Sequence, residues 1–134
     1  KAGGSIRITP WRMVYFSPGL KRRRDLHHDG DFITNPADPL LNVVACTGAP
    51  GCPQAHGPTR ALARQLAPLV PQGKLLHVSG CAKSCAHPGA APATLTATAP
   101  GRFDLILNDT AAGPPARRGL QPDDLTTTDL FPTG

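Results

Sequence analysis

The sequence predicts an α+β fold with a mixed sheet: a βαβ unit that carries two cysteine loops, followed by a β-hairpin. Three observations predict it. All four cysteines fall in two short glycine-bearing loops with the pattern C-x5-C-x28-C-x3-C, Cys46 and Cys52 in the first and Cys81 and Cys85 in the second. Each loop follows an apolar run, and a stretch with helical spacing lies between them. After the second loop, two alternating stretches flank Pro100-Gly101, a turn pair.

In chain order, Ser5 to Ser17 alternates in part, with Ile6, Ile8, Val14 and Phe16 apolar and Arg7 and Arg12 polar. This predicts a strand bent at Pro10, with Trp11 packed on the domain. Leu20 to Ile33 carries the basic run Lys21-Arg22-Arg23-Arg24 and then His27-His28-Asp29, read as a short helical segment with a solvated basic face that ends near Gly30. The adjacent histidines point apart, which argues against a metal site there. Asn35-Pro36-Ala37-Asp38-Pro39 is a turn by composition, and Leu40 to Ala45 reads as a buried strand that delivers Cys46.

Beyond the first loop, Pro53 suits the first position of a helix, which would set Cys52 at a helix N-terminus. Gly57-Pro58 interrupts that helix, so Pro58 or Thr59 should open a stronger segment in which Leu62, Leu66, Leu69 and Val70 recur at helical spacing. Lys74 to Ser79 is the next strand and feeds the second loop. A helical crossover between two parallel strands leaves both strand ends on one edge, so cysteines 28 residues apart can meet. Ala93 to Ala99 and Arg102 to Asn108 form the hairpin. From Ala111 onward Gly113-Pro114-Pro115 is linker-like, Leu120 to Leu125 suggests a helical turn, and the rest reads as a loose tail.

With 134 residues the chain buries roughly two-thirds of its unfolded surface, enough for one modest core. Sixteen prolines and 14 glycines imply that much of it is turn and loop, so the core needs a staple. The net charge of +5 favours an anionic partner. Nucleic acid is disfavoured, because one Trp, one Tyr and four Phe without basic-aromatic interleaving supply no stacking platform. An anionic small molecule suits the charge. There is no apolar run of the roughly 18 residues that a membrane helix needs, and no signal-peptide pattern. The expectation is a cytoplasmic protein with no membrane partner.

Four cysteines in two loops admit three chemistries. Zinc takes its cysteines as pairs about two to four residues apart, and the five-residue gap of the first loop is wide for that. Two disulfides suit a secreted chain. Four thiolates are the usual complement of a [4Fe–4S] cluster, and Gly48, Gly51 and Gly80 let backbone approach such a group. Spacing and glycines favour the cluster, with Cys46, Cys52, Cys81 and Cys85 as ligands.

The pattern Cys-x5-Cys with Ser79-Gly80-Cys81-x3-Cys85 resembles the cluster signature of the sulfite and nitrite reductase haemoprotein superfamily. Ile6-Arg7-Ile8-Thr9-Pro10-Trp11-Arg12, Asn35-Pro36-Ala37-Asp38-Pro39 and Gly80 to Pro88 are similar to the precorrin-3B synthases, its oxygen-dependent branch in aerobic cobalamin synthesis. The resemblance implies a 4Fe–4S domain of that superfamily over residues 35–110, preceded by part of a ferredoxin-like half-domain over 1–34 and followed by a loose tail over 111–134. Members are built as two related halves, and this chain resembles the second, so it is expected to be a piece of a longer enzyme.

The resemblance further implies oxygen-dependent hydroxylation and lactone formation on precorrin-3A, an anionic tetrapyrrole. It implies an electron-donating reductase and the N-terminal half of the full-length enzyme as partners. It also implies a second iron, sirohaem or mononuclear, which Cys85 would bridge to the cluster by position. A sulfite or nitrite reductase domain is the alternative, and a zinc-binding structural module the alternative from another class. Arg7, Arg12 and Lys83 are candidate carboxylate contacts, the arginines because a guanidinium offers a bidentate fork. A fixed charge at Lys83 would raise the cluster potential. His87 is a candidate donor to a cluster sulfur or a ligand to the second iron. No side chain is singled out as catalytic.

Overall fold

The computed structural model describes residues 5–10, 13–17 and 32–132. It comprises two compact units, Lys1–Pro36 and Ala37–Gly134.

In the first unit, β1 (Ile6–Ile8) and β2 (Val14–Phe16) pair antiparallel, with Arg7 opposite Tyr15. The single strand bent at Pro10 is thus corrected to a hairpin. Proline fixes φ and has no N–H to extend a ladder; the chain reverses there, and Thr9 N–H donates to Met13 O at 2.9 Å. Phe16 and Phe32 meet edge to face, with ring centroids 6.4 Å apart. Arg12, Trp11, the basic run from Lys21 to Arg24, and His27, His28 and Asp29 lie outside the described residues.

The second unit is a five-stranded mixed sheet of order β3-β4-β5-β6-β7. Its strands are β3 (Val43–Ala45), β4 (Leu76–Ser79), β5 (Ala91–Ala99), β6 (Arg102–Asp109) and β7 (Arg117–Leu120). The pairs β3–β4 and β4–β5 are parallel, and the later pairs antiparallel. The fold is therefore α+β with a mixed sheet and few helices. Helix α1 (Arg60–Leu66) crosses over between β3 and β4, as the leucine spacing predicts. Proline and glycine make the hairpin turn between β5 and β6, with Gly101 at φ +68°, the left-handed position that glycine occupies without steric cost.

Alternation sorts the sheet into an apolar face and a polar one. Leu76, Val78, Leu95 and Leu105 face Leu62, Leu66 and Val70 of the α1 segment in one core. Each such side chain withdrawn from water contributes about 1.5–3 kcal/mol. The opposite face holds His77, Ser79, Thr94 and Thr96, all buried. Residues 80–90 cover part of it, because they return from the end of β4 to the start of the parallel β5 and bring His87 against His77.

Three local expectations are corrected. Leu40 to Ala45 is not one strand: Pro39–Asn42 forms a 3-10 turn, since the Asp38 carboxylate accepts from Leu40 N–H at 2.8 Å, and β3 begins only at Val43. No helix starts at Pro53. Residues 53–58 are turns whose amides are spent elsewhere, Ala55 N–H on Cys52 O and His56 N–H on Gly80 O. The helix-terminus argument for Cys52 falls with it. Residues 111–132 are not a loose tail either, for β7 extends the sheet and α2 (Thr127–Leu130) follows. Leu125 and Leu130 enter the core, Leu130 at 0% exposure. Thr126 and Asp129 close a capping box at the start of α2, and Arg117 of β7 pairs with Asp129.

Candidate metal centre

Both cysteine loops leave the same edge of the sheet. Cys46 follows β3 directly, its N–H still donating to Val78 O at 3.4 Å, and Cys81 lies two residues beyond β4. Parallel pairing of β3 and β4 makes these two strand ends neighbours. The four thiols are free of disulfides; Cys46, Cys52 and Cys81 are half-buried and Cys85 is exposed. All four line one cavity of about 340 Å³, together with Gln54, Ala55, Gly80 and Lys83 among others. That volume is far more than the ~30 Å³ share of one water. Among the described residues, no three His, Cys, Asp or Glu side chains are gathered closely enough to hold a metal ion. The cysteines ring a space rather than converge on a point.

Gly80 joins the two loops. Its N–H donates to Cys46 Sγ at 3.2 Å and its carbonyl accepts from His56 N–H at 2.8 Å. A Cβ at this position would stand 2.6 Å from the Cβ of Ala55, so the approach requires glycine. Gly48, at φ +68°, is packed as tightly against Thr59. Within the first loop Cys52 N–H donates to Gly48 O at 2.8 Å, folding the loop back on itself. Within the second, Ser84 takes φ +56°, unusual for a residue with a Cβ. Its buried hydroxyl accepts from Ala111 N–H at 2.9 Å, tying the loop to the segment after β6.

Lys83 lines the cavity and is exposed. Arg7 sits exposed on β1, in the first unit. His87 is not among the lining residues either. Its Nε2–H donates to Ala90 O at 3.2 Å, and its ring packs edge-on against His77 with centroids 5.8 Å apart.

His77 was not a site candidate from sequence, yet it is fully buried and neither ring nitrogen has a hydrogen-bond partner. Desolvation, and secondarily the charge of His87, lower its pKa from 6.5 to about 4. Between those values the unfolded chain binds a proton at His77 that the folded chain refuses. This contribution to stability is therefore complete above about pH 6.5 and lost as pH falls toward 4, with a deficit of roughly 2 kcal/mol at pH 5. Urea unfolding at pH 7 and pH 5 should show the loss, and His77→Leu should reduce it by about that amount. An equal loss in both proteins would mean that His77 is not its source.

Sequence reasoning also missed Thr59, Ser79, Ala55 and Ser84 around the cysteines. Thr59 was visible only as a helix start, the contacts of Ala55 and Ser84 are with residues distant in the chain, and Ser79 bonds Cys81 O only two residues on, a local turn that the strand reading did not anticipate.

No protein-family model matches the chain. A precorrin-3B synthase from Sinorhizobium sp is similar to it, at 37% identity over 83 residues that cover 59% of this chain. The match takes in 18% of that relative, so the chain spans less than a fifth of the protein it resembles.

Proposed function

We propose that this chain is the cluster-bearing part of an iron–sulfur oxidoreductase of the precorrin-3B synthase kind, in which Cys46, Cys52, Cys81 and Cys85 hold a [4Fe–4S] cluster. The observation that carries the reading is that all four free thiols line one cavity at the edge where β3 and β4 end. The similarity to a precorrin-3B synthase supports it. The donor set fits the group: four thiolates, a backbone amide aimed at one sulfur, and a glycine where a Cβ would close the passage.

When bound, the cluster would supply single electrons for the oxygen-dependent hydroxylation of precorrin-3A and its lactone closure. The chain's own residues do the rest. The Gly80 amide stabilises negative charge on Cys46 Sγ, and Lys83 places a positive charge at the mouth of the cavity. A substrate with many carboxylates is drawn to that charge. Among the described residues, Lys83 is the only cation lining the cavity. The remaining carboxylates would be met by the N-terminal half of a full-length enzyme, with a reductase as electron donor and a second iron, sirohaem or mononuclear, beside Cys85.

Anaerobic reconstitution with iron and sulfide, against zinc in parallel, tests the reading. Iron and sulfide in equal amounts, with broad visible absorption, are expected, together with no turnover of precorrin-3A by this chain alone. Preferential retention of zinc without sulfide would favour a structural module. Sirohaem absorption with sulfite turnover in the complete protein would favour a sulfite or nitrite reductase. In the loaded protein, Lys83→Met should lower the reduction potential by on the order of tens of millivolts, because a positive charge near the centre stabilises the added electron. An unchanged potential in a redox titration would place the Lys83 charge out in solvent.

A further inference from the structure

We propose that the buried hydroxyls of Thr59 and Ser79 are positioning residues, each clamping the main-chain carbonyl of the first cysteine of one loop so that the two thiols are set before any metal binds. The proposal rests on the four-cysteine reading above for its purpose but not for its test.

Thr59 precedes the first residue of α1, where a threonine hydroxyl ordinarily accepts from an amide of its own helix. Here it makes no such bond. It donates to Cys46 O at 2.7 Å and stands 3.9 Å from Cys46 Sγ. Only 1% of Thr59 is exposed, and Gly48 closes over its amide and hydroxyl. The helix forgoes a cap, and the cysteine loop gains an anchor in a rigid element.

Ser79 repeats the arrangement at the other loop. It is the last residue of β4, it is 1% exposed, and its hydroxyl donates to Cys81 O at 2.6 Å. Both hydroxyls sit on buried residues, while the cysteines whose carbonyls they hold are half-buried. Both act on the cysteine nearest its strand, one from the crossover helix and one from the strand itself. Cys52 and Cys85 have no corresponding side-chain bond to their carbonyls among the described residues. Each loop therefore has a side-chain hydroxyl on the carbonyl of its first cysteine and none on that of its second.

The test uses the metal-free chain and site-resolved alkylation by iodoacetamide, read by peptide mass spectrometry with Cys85 as the internal reference. T59V should raise the alkylation rate of Cys46 relative to Cys85 by about fivefold, the extra opening that loss of one neutral hydrogen bond permits, and leave Cys81 near its original ratio. S79A should do the reverse. T59S, which keeps the hydroxyl, should restore Cys46. If T59V raised Cys46 and Cys81 together, or if T59S failed to restore Cys46, Thr59 would be a packing residue and the proposal would be overturned. No change at either cysteine would also overturn it. Should T59V not fold, the S79A arm decides alone. Iron and sulfide analysis of the same preparations stands apart: a chain that binds no cluster yet shows the crossed pattern refutes the cofactor reading and keeps the positioning one.

Discussion

Replacement of any one of Cys46, Cys52, Cys81 or Cys85 by serine is expected to reduce iron and sulfide loading to background, with loss of the broad visible absorption. Each iron of a cubane takes one protein thiolate, and an alkoxide is a poor substitute at neutral pH. The four variants should nonetheless differ before loading. Cys46 Sγ accepts the Gly80 N–H and lies beside Thr59, so Cys46→Ser disturbs a contact between loops. Cys85 is exposed. Cys85→Ser should therefore match the parent in metal-free stability and differ only when iron and sulfide are supplied. Because metal affinity becomes folding energy wherever the unfolded chain lacks the site, the parent alone should gain thermal stability on loading. Parent-level iron and sulfide in any one variant would strike that cysteine from the ligand set.

The part of this site legible in the sequence is the part made by local pattern. Cysteine spacing marks both loops, and the spacing of Leu62, Leu66 and Leu69 marks the crossover that sets them on one edge. Pro100-Gly101 marks the hairpin. What escapes is whatever depends on a partner distant in the chain. Pro53 satisfies every local preference for a helix start, but His56 N–H goes to Gly80 O, 24 residues on by number, and the helix waits until Arg60. Residues 111–132 are rich in proline, glycine and threonine and carry few apolar residues, yet Leu125 and Leu130 are buried because β6 offers an edge to β7. His77 reads as a polar interruption in an apolar strand. Its burial follows only once the return of residues 80–90 across the sheet is known.

The glycine at position 80 gives the strongest test of the geometry itself. Gly80→Ala places a Cβ at 2.6 Å from the Cβ of Ala55, where no rotamer can relieve the contact because both groups are methyls fixed to backbone. One loop must move. Moving it breaks the Gly80 N–H to Cys46 Sγ and His56 N–H to Gly80 O bonds, which are the ties between the cysteine pairs. A destabilisation of about 3 kcal/mol is expected from overpacking and the lost bonds together, with cluster loading greatly reduced. Ala55→Gly should rescue it, since the next contacts of the new Cβ, Ala55 Cα at 3.4 Å and Cys46 Sγ at 3.5 Å, are ordinary. In a double-mutant cycle on the metal-free chain, the two substitutions should couple favourably by about 1–2 kcal/mol. Additive effects would separate Gly80 from Ala55, and with them the two cysteine loops.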